Sequence, residues 1–153
     1  MIRALIAVSF TASLLVTSAA IAAEFGIKDE AVSMVKRVQE KFKEDGAEAT
    51  FKAVSDKSTR EFHDRDLYPF IYDMTGVNVA NGARTFLIGK NLIDVKDQDG
   101  RYIFREMIRI ASGPGSGWID YKWLNPNTNK VEHKSTYVEK MGDYFVGVGI
   151  YRP

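Results

Sequence analysis

The sequence predicts an α+β domain built on an antiparallel sheet, and three observations carry that reading. Apolar residues Ile27, Ala31, Met34, Val35, Val38 and Phe42 recur at helical spacing. From residue 67 the period becomes strand-like, ending in three runs at 118–124, 131–141 and 144–151. The last two runs are separated only by Gly142-Asp143, a pair suited to a tight hairpin turn. A length of 153 residues fits one domain, and the absence of cysteine leaves stability to the core alone.

The elements follow in order. Residues 1–22 read as a signal peptide: Arg3 precedes an apolar run, and Ala20 and Ala22 form the small-residue pattern of a cleavage site. Cleavage is expected after Ala22, with Ala23 next, leaving 23–153 as a single domain in a Gram-negative periplasm. The rival is a retained anchor, which Ser9, Thr11, Ser13, Thr17 and Ser18 dilute. No second apolar span follows, so no membrane span is expected after cleavage.

The long helix is expected to stop at Asp45-Gly46, and a short second helix places Ala47, Phe51 and Val54 on one face. A polar connector covers 55–66. Residues 67–73 read as a strand in which Pro69 implies an edge or a bulge. A turn at 73–76 leads to a short partner strand at 77–80, then a long loop over 81–100. A third helix begins near Gly100, with Ile103, Met107 and Ile110 on one stripe and Phe104, Ile108 and Ala111 beside it. The glycine-rich stretch 113–117 ends it, and a wide turn at 125–129 joins the first two of the closing strands.

The hairpin permits a register argument. With a two-residue turn Met141 faces Tyr144, and side chains alternate outward from there. One face then carries Tyr137, Met141, Tyr144, Val146, Val148 and Ile150, apolar enough to receive the long helix. The other carries Lys134, Thr136, Val138, Gly147, Gly149 and Tyr151, which predicts a shallow hollow with a cation at its rim.

Four separated strings stand out together: LYPFIYDMTGVNVANG at 67–82, IGKNLIDVKDQDG at 88–100, GSGWIDYKW at 115–123, and KSTYVEKM followed by YFVGVGIY across 134–151. The chain resembles a single Cache domain of the type-2 variety, found as extracytoplasmic sensor modules of bacterial chemoreceptors and histidine kinases. The resemblance implies a PAS-like fold: a five-stranded antiparallel sheet, a long N-terminal helix on one face, and a pocket capped by loops and a short helix on the other. It also implies binding, without transformation, of a small organic carboxylate such as acetate, propionate or pyruvate. In a receptor the last strand would lead into a transmembrane helix, whereas this sequence ends at Pro153. The expectation is therefore a stand-alone version that presents ligand to a membrane sensor or transporter, or else an interaction module with a vestigial pocket.

Candidate site residues follow. Lys134 matches the lysine of the family's K-x-S-Y-V strand and suits a carboxylate. Its rival role is a cross-strand ion pair, since it lies opposite either Asp120 or Tyr121. Tyr121 and Trp123 share a side of their strand and would wall a pocket, or equally serve as core. Arg101, Arg105 and Arg109 form a basic stripe on the third helix; Arg105 or Arg109 could turn inward, against the ordinary reading of a solvated face. Tyr72 and Asp73 end the first strand beside the turn; Tyr72 is a further ligand candidate, whereas Asp73 suits the turn.

Other signals are weak. Residues 97–100 with Glu106 imitate part of a calcium loop, but its first ligand position falls on Val95; a polar cap for the third helix fits better. The 113–117 loop lacks the ending of a phosphate loop. His63 and His133 have no zinc-ligand spacing, and no nucleophile motif is present, so neither cofactor nor enzymatic activity is expected. With 21 Lys and Arg against 20 Asp and Glu, the chain lacks the basic excess of a nucleic-acid binder.

Overall fold

The computed structural model describes residues 25–152, so the signal-peptide reading of 1–22 lies outside the described residues. Helix α1 spans Lys28–Ser55. Asp29 and Glu30 stand in its first turn, where carboxylates suit the helix dipole, and Glu30 accepts the Ile27 N–H at 3.0 Å. The break expected at Asp45-Gly46 is there, as a kink within one long element. Gly46 sits at φ 81°, a conformation a side chain would strain, and the helix then resumes. Buried Thr50 donates its hydroxyl to the Gly46 carbonyl at 2.8 Å, tying the resumed helix to the kink.

Strands β1 (Pro69–Asp73) and β2 (Asn78–Asn81) follow, then a short 3₁₀ turn at Thr85–Leu87 and helix α2 at Ile103–Ser112. Strands β3 (Ser116–Leu124), β4 (Val131–Met141) and β5 (Tyr144–Arg152) close the fold. They form one five-stranded sheet in the order β2-β1-β5-β4-β3, with every pairing antiparallel. Met141 faces Tyr144 and Lys134 faces Tyr151, the register expected of the hairpin. The open register across 125–129 places Tyr121 opposite Lys134, while Asp120 faces Ser135.

Of the edge or bulge expected from Pro69, the edge needs correction. β1 lies between β2 and β5 and is not an edge, and its irregularity falls between Ile71 and Tyr72. Pro69 is tolerated because it opens the strand, while its carbonyl still accepts the Gly82 N–H at 2.9 Å.

Each sheet face has its own core. On one, Ala31, Met34, Val35 and Val38 of α1 pack with Ile71, Val146, Val148 and Ile150. On the other, Ile103, Phe104, Met107 and Ile110 of α2 meet Ile119, Val138 and Phe145. The 82–102 segment runs along this second face, and the candidate site lies beneath it.

Candidate functional site

β4 turns Lys134 toward the α2 side, where it is only 2% exposed. Its ammonium donates to the Tyr68 hydroxyl at 2.8 Å. It also lies 4.2 Å from the Tyr68 ring centroid, 4.6 Å from that of Tyr151 and 5.7 Å from that of Phe70. The cation is thus held by ring faces and one hydroxyl. Among the described residues no carboxylate pairs with it, so the cross-strand ion pair is not formed. Asp120 instead accepts the Ser135 hydroxyl.

The picture of an open hollow with a cation at its rim is corrected here. The space beside Gly147 holds the Phe70 ring, 2.4 Å from where a Cβ would stand. The space beside Gly149 holds the Lys134 stem, 2.3 Å away at Cε. The two glycines admit a ring and a lysine stem, so the lysine is drawn into the sheet face and buried.

What remains is a small hollow of about 20 Å³, room for about one water molecule. Tyr72, Tyr121, Trp123 and Lys134, four of the sequence candidates, line it, together with Tyr68, Phe70 and Phe104. The Tyr121 hydroxyl bonds Thr136 Oγ1 at 3.0 Å, and Tyr72 stacks on Phe145 with centroids 5.6 Å apart. Trp123 meets Phe104 and Tyr121 edge-on, so it serves wall and core together. Burial pushes the hydroxyls of Tyr72, Tyr121 and Tyr151 well above the ordinary tyrosine range, which keeps them neutral and able to donate.

Arg105 and Arg109 are not brought to the hollow. Arg105 pairs with Asp94, donates to the Ile93 carbonyl at 3.3 Å and lies over the Tyr102 ring, half exposed. Arg109 is exposed. The cause is helical spacing: Phe104, Met107 and Ile110 take the inner face, which sends the basic stripe to solvent.

A different arginine lines the hollow. Arg84 donates from Nη2 to the Leu124 carbonyl at 3.2 Å, and its Nε is buried without a protein partner. Asn81 holds it there, its Oδ1 accepting the backbone N–H groups of Ala83 at 3.1 Å and Arg84 at 2.7 Å. The readable signal was Asn81-Gly82, a turn-forming pair directly after a strand. Among the described residues the hollow therefore has two cations, several neutral hydroxyls and no acidic lining residue, a set that favours an anion with oxygen acceptors.

The remaining polar candidates serve turns. Asp73 Oδ1 accepts from the Thr75 N–H at 2.8 Å, the Thr75 hydroxyl at 2.7 Å and the Val77 N–H at 3.0 Å. Asp97 Oδ1 accepts the N–H groups of Asp99 and Arg101, each at 2.9 Å. It closes its own loop and does not cap α2, which corrects the capping expectation. Among the described residues no group of three or more acidic or histidine side chains could hold a metal ion.

A helix-backed antiparallel sheet with a small aromatic and cationic hollow on its far face is the architecture of a PAS-like sensor type of domain. A family model described as a Cache domain matches residues 27–153, and the chain belongs to that family. It is 31% identical over 123 residues to the sensor histidine kinase MctS of Rhizobium johnstonii, covering 79% of this chain and 26% of the kinase. It is 28% identical over 91 residues to the methyl-accepting chemotaxis protein McpP of Pseudomonas putida, covering 58% of this chain and 17% of McpP. The chain thus spans about a quarter of the first and a sixth of the second. Among solved structures, a methyl-accepting chemotaxis protein from Vibrio parahaemolyticus superposes with a TM-score of 0.69 at 27% identity, over 81% of this chain and 87% of that one. A Cache chemosensory domain solved for its carboxylic acid recognition shares the fold, with a TM-score of 0.64 at 20% identity over 94% of this chain and 100% of that one.

Proposed function

We propose that this Cache domain is a periplasmic binding module of the sensor type whose ligand is a carboxylate of two to four carbons, with Lys134 as the main charge partner. One observation carries the reading: a buried lysine faces a hollow with no carboxylate among the described residues to neutralise it, and Arg84 stands in the same wall. A buried cation without an anion is costly, and a ligand carboxylate meets that cost directly. The carboxylic acid recognition of one structural neighbour supports the same ligand class. The domain binds and releases its ligand unchanged, and it passes the bound state to a membrane sensor or transporter. Residues 1–22 direct export.

The hollow of about 20 Å³ cannot take a carboxylate as it stands, so binding moves wall side chains. The same small volume favours the second reading, an interaction module with a vestigial pocket. Thermal denaturation with acetate, propionate, pyruvate or lactate separates the two. Ligand at a hundredfold excess over Kd adds about 2.7 kcal/mol, so at least one acid raises the melting temperature by several degrees. If none does, the vestigial-pocket reading replaces this one. Product analysis of any hit checks that the acid is recovered unchanged.

A further inference from the structure

We propose that Asp66 is a positioning residue for the Lys134 site and carries its occupancy to the segment entering α1. The proposal rests on the carboxylate reading above.

A path of hydrogen bonds, joined through the body of the Tyr151 side chain, leads out of the hollow. Lys134 Nζ donates to Tyr68 Oη at 2.8 Å, and Tyr68 Oη lies 3.1 Å from Tyr151 Oη. The Tyr151 hydroxyl donates to the Leu124 carbonyl at 3.2 Å, so its proton is committed and Tyr68 supplies the proton between the two phenols. The backbone N–H of Tyr151 donates to Asp66 Oδ2 at 3.0 Å. Asp66 Oδ1 accepts the N–H of Gly26 at 2.6 Å, two residues before α1 begins.

Asp66 is 2% exposed, and its two oxygens join backbone groups 85 and 40 residues away in the chain. Gly26 is confined on its other side: a Cβ there would fall 2.5 Å from Leu67 side-chain atoms. Asp66, Leu67 and Tyr68 are consecutive, so a displacement of the Tyr68 ring acts on both contacts of Gly26.

The small hollow requires wall side chains to move, and Tyr68 is the one bonded to the ammonium. A carboxylate that bonds Lys134 Nζ competes with Tyr68 Oη for the ammonium protons and needs space the Tyr68 ring occupies. Once Tyr68 moves, the phenol pair reorganises, and Asp66 transmits the change between Tyr151 and Gly26. The coupling is reciprocal, so loosening Asp66 weakens the ligand site.

The test follows the Gly26 amide by NMR in ¹⁵N-labelled protein during titration with propionate and with pyruvate. In the wild type the Gly26 and Tyr151 amide resonances move along the same saturation curve as the thermal shift. Asp66→Asn replaces one acceptor oxygen with an NH₂. It lowers affinity about fivefold, as expected for one lost hydrogen bond, and abolishes the Gly26 response at saturation. Tyr151→Phe keeps the backbone N–H on Asp66 but removes the phenol link, and it cuts the Gly26 response at saturation by at least half. It serves if Asp66→Asn does not fold. A ligand that raises the melting temperature without moving the wild-type Gly26 resonance overturns the proposal and leaves the carboxylate reading standing. A full Gly26 response in either variant also overturns it. Absence of any thermal shift removes the carboxylate reading, and the proposal with it.

Discussion

Gly149→Ala adds one methyl group at the point where the sheet meets the Lys134 stem. Gly149 lies in the middle of β5 opposite Thr136. A Cβ built there stands 2.3 Å from Lys134 Cε and 2.4 Å from Thr136 Oγ1, far inside the roughly 3.5–4 Å of a favourable contact. Thr136 is fixed within β4 and bonded to Tyr121, so the flexible lysine stem yields. The ammonium then leaves its place against the Tyr68 and Tyr151 rings. Overpacking of this kind costs about 1–3 kcal/mol, and replacing a mid-strand glycine returns about 0.5–1 kcal/mol. The net loss is at most about 2.5 kcal/mol and centres on about 1 kcal/mol, a fall of roughly 4 °C in melting temperature at about 4 °C per kcal/mol. Ligand affinity falls by about tenfold or more, equivalent to about 1.4 kcal/mol. Paired melts with and without carboxylate read both effects. If Gly149→Ala melts and binds like the wild type, the lysine stem does not pack on Gly149. If it melts lower but keeps the full ligand shift, the ammonium does not hold the ligand.

Three further outcomes are expected. Val148→Asp buries an unpaired carboxylate between β5 and α1 and lowers stability by several kcal/mol, about 3 or more, as read by urea denaturation; an unchanged midpoint would contradict the assignment of the two faces. Arg84→Gln removes the second cation of the hollow and weakens carboxylate binding by about tenfold, whereas Arg105→Ala, on a solvated ion pair, changes stability by less than about 1 kcal/mol and leaves binding intact; calorimetry on both variants would reverse this assignment if the order were opposite. Intact mass of the exported protein begins at Ala23 or Glu24, and a membrane-bound species retaining residues 1–22 would contradict the export reading.

Much of the fold was legible because the signals were local. The α1 stripe, the break at Gly46 and the Gly142-Asp143 hairpin depend on spacing and turn chemistry, and the hairpin fixed which residues of β4 and β5 share a face. That face carried Lys134, but its pairing with Tyr121 rather than Asp120 depended on the turn at 125–129, which the sequence left open. Other features depended on contacts between distant segments. Glycines at 147 and 149 read as open space, but whether a ring or a lysine stem fills it depends on β1 and β4. The interior position of β1 was hidden because Pro69 reads the same at a strand start as at an edge. Arg84 was missed because it lies in a loop without period, whereas the regular stripe on α2 drew attention to arginines that a helix facing a core turns outward.

The most direct test of the account is titration calorimetry of Lys134→Met against the wild type with acetate, propionate, pyruvate and lactate. Methionine keeps most of the stem between Gly149 and the ring faces and removes the charge. The lost hydrogen bond and cation–ring contacts are offset by the desolvation no longer required, so the melting temperature stays within about 4 °C of the wild type, or about 1 kcal/mol. The account predicts a wild type that binds at least one of these acids and a folded Lys134→Met protein that binds none. A Lys134→Met protein that binds the same acid with wild-type affinity would contradict it.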